Sequence, residues 1–206
     1  MNHILINMEG LHEIEAALGK AKDKSKLVLR KAINDTAKEV EKRMAKKAAK
    51  RYARHDKGVK PYKAVTTITK AKTSNLSSTI VVRDKISDLY DFTLNDRTHY
   101  PGSKGAPRWI KAKQLSESRI QGIAARKGSG GDQYKAFVVQ YDSGHIALAQ
   151  RVPGSHMRDN PDKEAIKSLY ATSKPRSEEF VFKTDIEDDV NELLMKSIQE
   201  QIARFL

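Results

Sequence analysis

The sequence predicts an α+β fold, with N-terminal helices and a C-terminal helix packed on a small antiparallel β-sheet. Three observations lead there. Apolar residues at helical spacing are concentrated at the two ends of the chain, β-branched runs fill the middle, and the clearest local signal between them is a hairpin. Helices and strands are segregated rather than alternating, which argues against a parallel βαβ sheet. All 206 residues are expected to form one domain, with a long helix at about 24–52, strands over about 62–152 and a closing helix at about 184–205.

Leu11, Ile14 and Leu18 mark a short first helix that ends near Gly19. The long helix starts at Asp23–Ser25, either of which suits an N-cap. Its stripe is Leu29, Ile33, Ala37, Val40, Met44 and Ala48. This is narrow, so the remaining faces are expected to be wet. Gly58 and Pro61 follow its end near Tyr52. Ala64–Thr69 (AVTTIT) and Leu76–Val82 (LSSTIVV) read as strands joined by a turn at Thr73–Asn75, and Ile86–Leu94 as a third short strand or an edge segment. Asn95–Pro107 reads as a loop, Arg108–Lys113 as a brief pairing segment, and Leu115–Ala125 is ambiguous because Gly122 interrupts its helical spacing. Arg126–Asp132 (RKGSGGD) reads as a flexible link. In Tyr134–Pro153 (YKAFVVQYDSGHIALAQRVP), two apolar runs flank Asp142–His145, where Gly144 supplies a positive φ. Gly154–Lys163 is a polar connector. The closing helix carries Ile186, Val190, Leu193, Leu194, Ile198, Ile202 and Phe205 on a wide face, with Thr184 or Asp185 as its cap.

Composition narrows the function classes. Hydrophobic content of 38% allows a modest core, and no run approaches the roughly 18 apolar residues of a membrane span. The start, MNHILINMEG, lacks the basic n-region of a signal peptide. Cysteine is absent, which excludes disulfides and thiolate metal sites and fits a cytosolic setting. The net charge of +13 is uneven: Lys20–Lys63 holds 17 basic against 5 acidic residues, and Ser177–Leu206 holds 3 against 8. Such polarity suits nucleic acid or a second copy of the same chain.

The search for chemistry yields no enzyme. Six scattered histidines lack the spacing of a zinc site, and no cofactor is expected. Asp142, Ser143 and His145 suggest a catalytic trio, yet neighbours in a four-residue turn rarely reach triad geometry, and turn chemistry alone explains them. Gly128–Gly131 lacks phosphate-loop spacing, and Asp185, Glu187, Asp188 and Asp189 suit a helix start better than a calcium loop. The strongest remaining feature is the basic half of the long helix: Lys42, Arg43, Lys46, Lys47, Lys50, Arg51 and Arg54. Part of that charge complements the helix dipole. The rest reads as a solvated face, or as a face contacting phosphates without reading sequence.

Four blocks, taken together and in order, resemble the minor tail protein Z family of long-tailed bacteriophages. They are GLHEIEAAL leading into KLVLRKAINDTAKEVEKRMAKKAAKRYA, then AVTTITKAKTSNLSSTIVV followed by Leu89–Phe92, then KAFVVQYDSGHIALAQRV, and last Ile166–Tyr170 before the closing helix. Two positions depart from the family pattern: Ala171–Ser173 stands where Gly-Pro-Ser is usual, and Ala149 where a Phe is usual. The resemblance implies a structural protein of a phage or prophage, located in the virion tail and in the host bacterial cytoplasm during assembly. It would act at the head-proximal end of the tail in completion and head–tail joining. It implies self-association into a ring, a hexamer being the first expectation, and contacts with other tail and connector proteins. No catalytic residues and no membrane partner come with it. Gln150 and Arg151 match the hairpin signature and are the candidate subunit contact. In a ring, the seven cations from Lys42 to Arg54 are the candidate basic lumen or partner face: the basic helix either meets the acidic C-terminal helix of the next subunit or faces a lumen through which DNA passes. The alternative is a small basic DNA-binding protein lying on the phosphate backbone through its N-terminal helix.

Overall fold

The computed structural model describes residues 2–7, 24–98, 104, 110–122 and 136–204. It is α+β, with helices beside small antiparallel sheets. The described chain separates into two compact units, one of residues 1–49, 58–84 and 174–206, the other of 50–57 and 85–173.

The first unit is built on the long helix α1 (Ser25–Arg51) and a three-stranded sheet in the order β1 (Asn2–Asn7), β3 (Ser77–Val82), β2 (Thr66–Thr69). Ile80 of the central strand lies opposite Ile4 on one side and Ile68 on the other. Strand β3 alternates by the period of two, with Ser78, Ile80 and Val82 inside. Every residue of the expected α1 stripe is buried, and so are Val28, Ala32, Thr36 and Ala45. The buried face is therefore wider than the apolar spacing suggested. The reason is that α1 has neighbours on several sides. Thr36 Oγ1 donates to Ser197 Oγ at 3.2 Å, Asn34 exchanges two hydrogen bonds with the backbone of Ala71, and Tyr62, in the short helix α2 (Lys60–Lys63), donates to the carbonyl of Ala48. Small side chains on that face let those elements approach.

The C-terminal part corrects one expectation. In place of one helix at 184–205 there are two, α3 (Lys174–Asp185) and α4 (Val190–Ala203), with buried Ile186 at the elbow and a 3₁₀ turn at Glu187–Asp189 between them. Thr184 and Asp185 end α3 rather than cap the last helix: Thr184 Oγ1 donates back to the Phe180 carbonyl, and Asp189 holds the N-cap position of α4. Helix α3 gave no apolar rhythm because its buried residues are Pro175, Ser177, Glu178 and Val181. Pro175 sits in the first turn, where its missing N–H costs nothing. The α4 face is also narrower than expected, with Leu194, Ile198 and Gln201 buried; Phe205 lies outside the described residues.

The second unit opens where the chain leaves α1. Tyr52 and Arg54 run extended, bridged to Leu115 and Phe92. Its strands are β4 (Ser87–Asp88), β5 (Thr93–Leu94), β6 (Lys111–Lys113), β7 (Gln121–Gly122), β8 (Phe137–Gln140), β9 (Ile146–Met157), β10 (Asn160–Ser168) and β11 (Tyr170–Ala171). They form sheets β10-β9-β8 and β5-β6-β7 and a ribbon β11-β4. Leu89, Ile110, Ala136, Val138 and Leu148 make its core. The β8–β9 hairpin turns at Asp142–Gly144, with Gly144 at φ 79° and its N–H donating to the Tyr141 carbonyl at 2.8 Å.

Gly154–Lys163, expected as a connector, is the exposed end of a second hairpin, and strand structure runs on to Ala171 rather than stopping near 152. Ser155, Met157 and Asn160 are only partly buried and the other residues there are exposed, so polar side chains suffice on both faces and no apolar alternation marks the strands. The backbone ladder with β9, broken by register shifts on both sides of Glu164, carries the pairing instead. The expected first helix at Leu11–Leu18 and the Arg126–Asp132 link lie outside the described residues, as does most of Asn95–Pro107.

Candidate interaction surface

The seven cations singled out on and beyond α1 do not share one environment. Arg54 is buried and structural. Its guanidinium donates to Asp56 Oδ1 at 2.8 Å and to Ser87 Oγ at 3.1 Å, lies 3.7 Å from Asp91 Oδ2, and stacks over the Phe92 ring. Arg43 and Lys47 are half-exposed and engaged within their own unit. Arg43 bonds Glu39 at 3.1 Å and Asp189 at 3.4 Å, and Lys47 donates to the Asp185 carbonyl at 2.8 Å. The acidic segment between α3 and α4 thus sits on the basic helix of the same chain. Lys42, Lys46, Lys50 and Arg51 are exposed.

Gln150 and Arg151 lie side by side on β9. Gln150 is buried. Arg151 donates to the Glu164 carbonyl at 2.6 Å and lies over the Phe137 ring at 5.6 Å, so it ties β9 to both neighbouring strands. Both line a cleft of about 240 Å³ with Lys167, Ser168 and Tyr170 among its other walls. Tyr170, in the wall of the cleft, and Ile86, just before β4, are exposed at 56% and 67% of their surface.

In the hairpin turn, Asp142 and Ser143 give His145 no triad. The imidazole turns to a distant residue instead: Nε2 is 3.0 Å from Asp88 Oδ2, and the ring stacks on Tyr141 with centroids 6.0 Å apart. Tyr141 Oη in turn meets Ser168 Oγ at 2.8 Å. Burial raises the Asp88 carboxyl above its usual range and Asp91 adds to this, while His145 opposes it. The arrangement pins the turn to the start of Leu89–Asp91. No signal in the sequence could have paired residues so far apart.

A second group that sequence reasoning missed is Glu178. Its side chain is fully buried in the first unit. Oε2 accepts from Thr66 Oγ1 at 3.3 Å, and Oε1 has no partner among the described residues. Burial pushes its carboxyl up to about 8; the Thr66 hydrogen bond opposes this, and the nearby charge of Glu41, itself 3.6 Å from Lys63, adds to it. Among the described residues no cluster of His, Asp and Glu is arranged to hold a metal ion, and no helix is long and apolar enough to cross a membrane. No family model, curated protein or solved structure matches this chain.

Proposed function

We propose that the chain is a non-catalytic structural subunit of a phage or prophage tail. It is a minor tail or tail-completion protein, works at the head-proximal end during assembly and head–tail joining, and associates into a ring that contacts tail and connector proteins. The observation that carries this reading is the ordered run of four family-like blocks along nearly the whole chain. The α+β architecture agrees with it.

The structure alters how the subunits would meet. Because Asp185 and Asp189 already lie against Lys47 and Arg43 of their own chain, the basic and acidic segments are poor choices for joining neighbours. Exposed Tyr170, in the wall of the cleft at Arg151, and exposed Ile86, just before β4, are the better contact residues, since interface centres favour aromatic and aliphatic side chains over charges. Deleting the gene from a phage or prophage that carries it should leave tails and heads unjoined, and antibody label on intact virions should fall at the head end of the tail. Normal virions without the chain, bearing no label, overturn the reading. Replacing Ile86 and Tyr170 by Asp should then reduce the ring to monomers in native mass spectrometry.

A further inference from the structure

Burial and pairing divide the cations of α1 into two sets. On one ridge of the helix, Arg43 and Lys47 sit among Asp35 and Glu39 and reach Asp189 and Asp185. On the next, Lys38, Lys42, Lys46 and Lys50 recur every fourth residue, and all four are exposed. Residues four apart are neighbours along a helix surface, so these form one row on a single unbroken helix, about 6 Å of rise per step and about 18 Å in all. Lys38 and Lys42 have loose, exposed ion pairs with Asp35 and Glu39 at 3.7 and 3.6 Å, contacts that water and salt exchange readily. Lys46 and Lys50 have no ion-pair partner among the described residues.

From this row we infer that α1 carries a binding site for the sugar–phosphate backbone of duplex DNA, read through charge and not through sequence. The inference does not depend on the ring. Two arguments favour nucleic acid over an acidic protein. Lysine is depleted in protein–protein interfaces, and the row holds no aromatic or aliphatic side chain to form an interface centre. A flexible ammonium on a long stem is a point charge that suits a phosphate without demanding bidentate geometry. The row holds no Arg, Asn or Gln, whose planar groups make fixed two-point contacts to base edges.

The test is fluorescence anisotropy of the full chain with a labelled 24-base-pair duplex and a second duplex of shuffled sequence, titrated between 25 and 200 mM KCl. Four phosphate contacts give a slope of log K on log salt near −3.6, a loss of roughly a hundredfold between 50 and 200 mM, equal for both duplexes. Lys46→Gln with Lys50→Gln should reduce the slope by about two, and the quadruple variant adding Lys38→Gln and Lys42→Gln should abolish binding. A control removing four exposed lysines elsewhere (Lys57, Lys60, Lys72 and Lys163, each to Gln) matches the charge change and should leave the slope near that of the unaltered chain. Circular dichroism melts verify that each variant folds, and native mass spectrometry reads its assembly separately. Loss of DNA binding and loss of the ring are therefore distinguishable. The inference is overturned if no duplex binds at 25 mM KCl, if the control loses as much as the row variant, or if poly-glutamate of equal charge binds as tightly as DNA.

Discussion

Replacing Glu178 by Gln should make the first unit more stable at neutral and alkaline pH. In the folded chain the carboxyl holds its proton up to about pH 8, whereas an unfolded glutamate releases it near 4.5. The folded form therefore binds the proton more tightly. The group's full contribution is present below pH 4.5, declines as pH rises through the window from 4.5 to about 8, and is lost above it. At about 1.36 kcal/mol per pH unit, the window spans about 5 kcal/mol, of which about 3 kcal/mol is already lost at pH 7. Glutamine keeps the acceptor for Thr66 Oγ1 and cannot ionise. Its amide leaves a donor to be satisfied, which takes back about 1 kcal/mol at every pH. Urea unfolding followed by helical circular dichroism at pH 4, 7 and 9 reads the result. The unaltered chain should lose stability across the series, and the variant should be nearly flat, weaker at pH 4 and stronger at pH 9. Parallel profiles for the two chains would refute the reasoning, because they would mean that the buried carboxyl exchanges its proton as freely as an exposed one.

Arg54→Ala should cost about 2–3 kcal/mol in thermal or urea unfolding, since it removes a buried guanidinium with several hydrogen bonds and its stacking on Phe92. Arg43→Ala, at a half-exposed pair, should cost under about 1 kcal/mol, and a reversed order would show that burial does not set the value of these cations. Gly144→Ala should destabilise by about 1 kcal/mol through backbone strain alone, because φ is 79° and an added Cβ meets nothing within 4 Å; a neutral melt contradicts this. Arg151→Ala should lower the unfolding free energy by about 1–2 kcal/mol by freeing the Glu164 carbonyl and the Phe137 face. An unchanged melt with lost assembly would return Arg151 to a subunit contact.

Where burial follows apolar spacing, the sequence was a good guide. Leu29, Ile33, Ala37, Val40, Met44 and Ala48 announced α1, and the turn residues Asp142–Gly144 announced the β8–β9 hairpin. Where burial falls on polar side chains, the pattern is silent. Helix α3 was invisible because Ser177 and Glu178 occupy its inner face, and Thr36 widened the face of α1 without an apolar signal. The Gly154–Lys163 hairpin was unreadable for the opposite reason, since none of its residues is fully buried and no apolar alternation was needed. At the candidate surface, charge density found the cations but could not separate Arg54, Arg43 and Lys47, each of which also has a partner far along the chain, from the row that faces solvent. Asp88 and His145 likewise meet only through the tertiary fold.

Strand β10 lies at an edge of its sheet, and it is built to be a poor template for further pairing. Pro161 offers no N–H, Lys163 and Lys167 are exposed charges, and register shifts flank Glu164. A neighbouring chain cannot add there as another strand without facing a missing donor, buried charge and a mismatched ladder. The protein can therefore accumulate to high concentration during synthesis without growing into fibres from this edge.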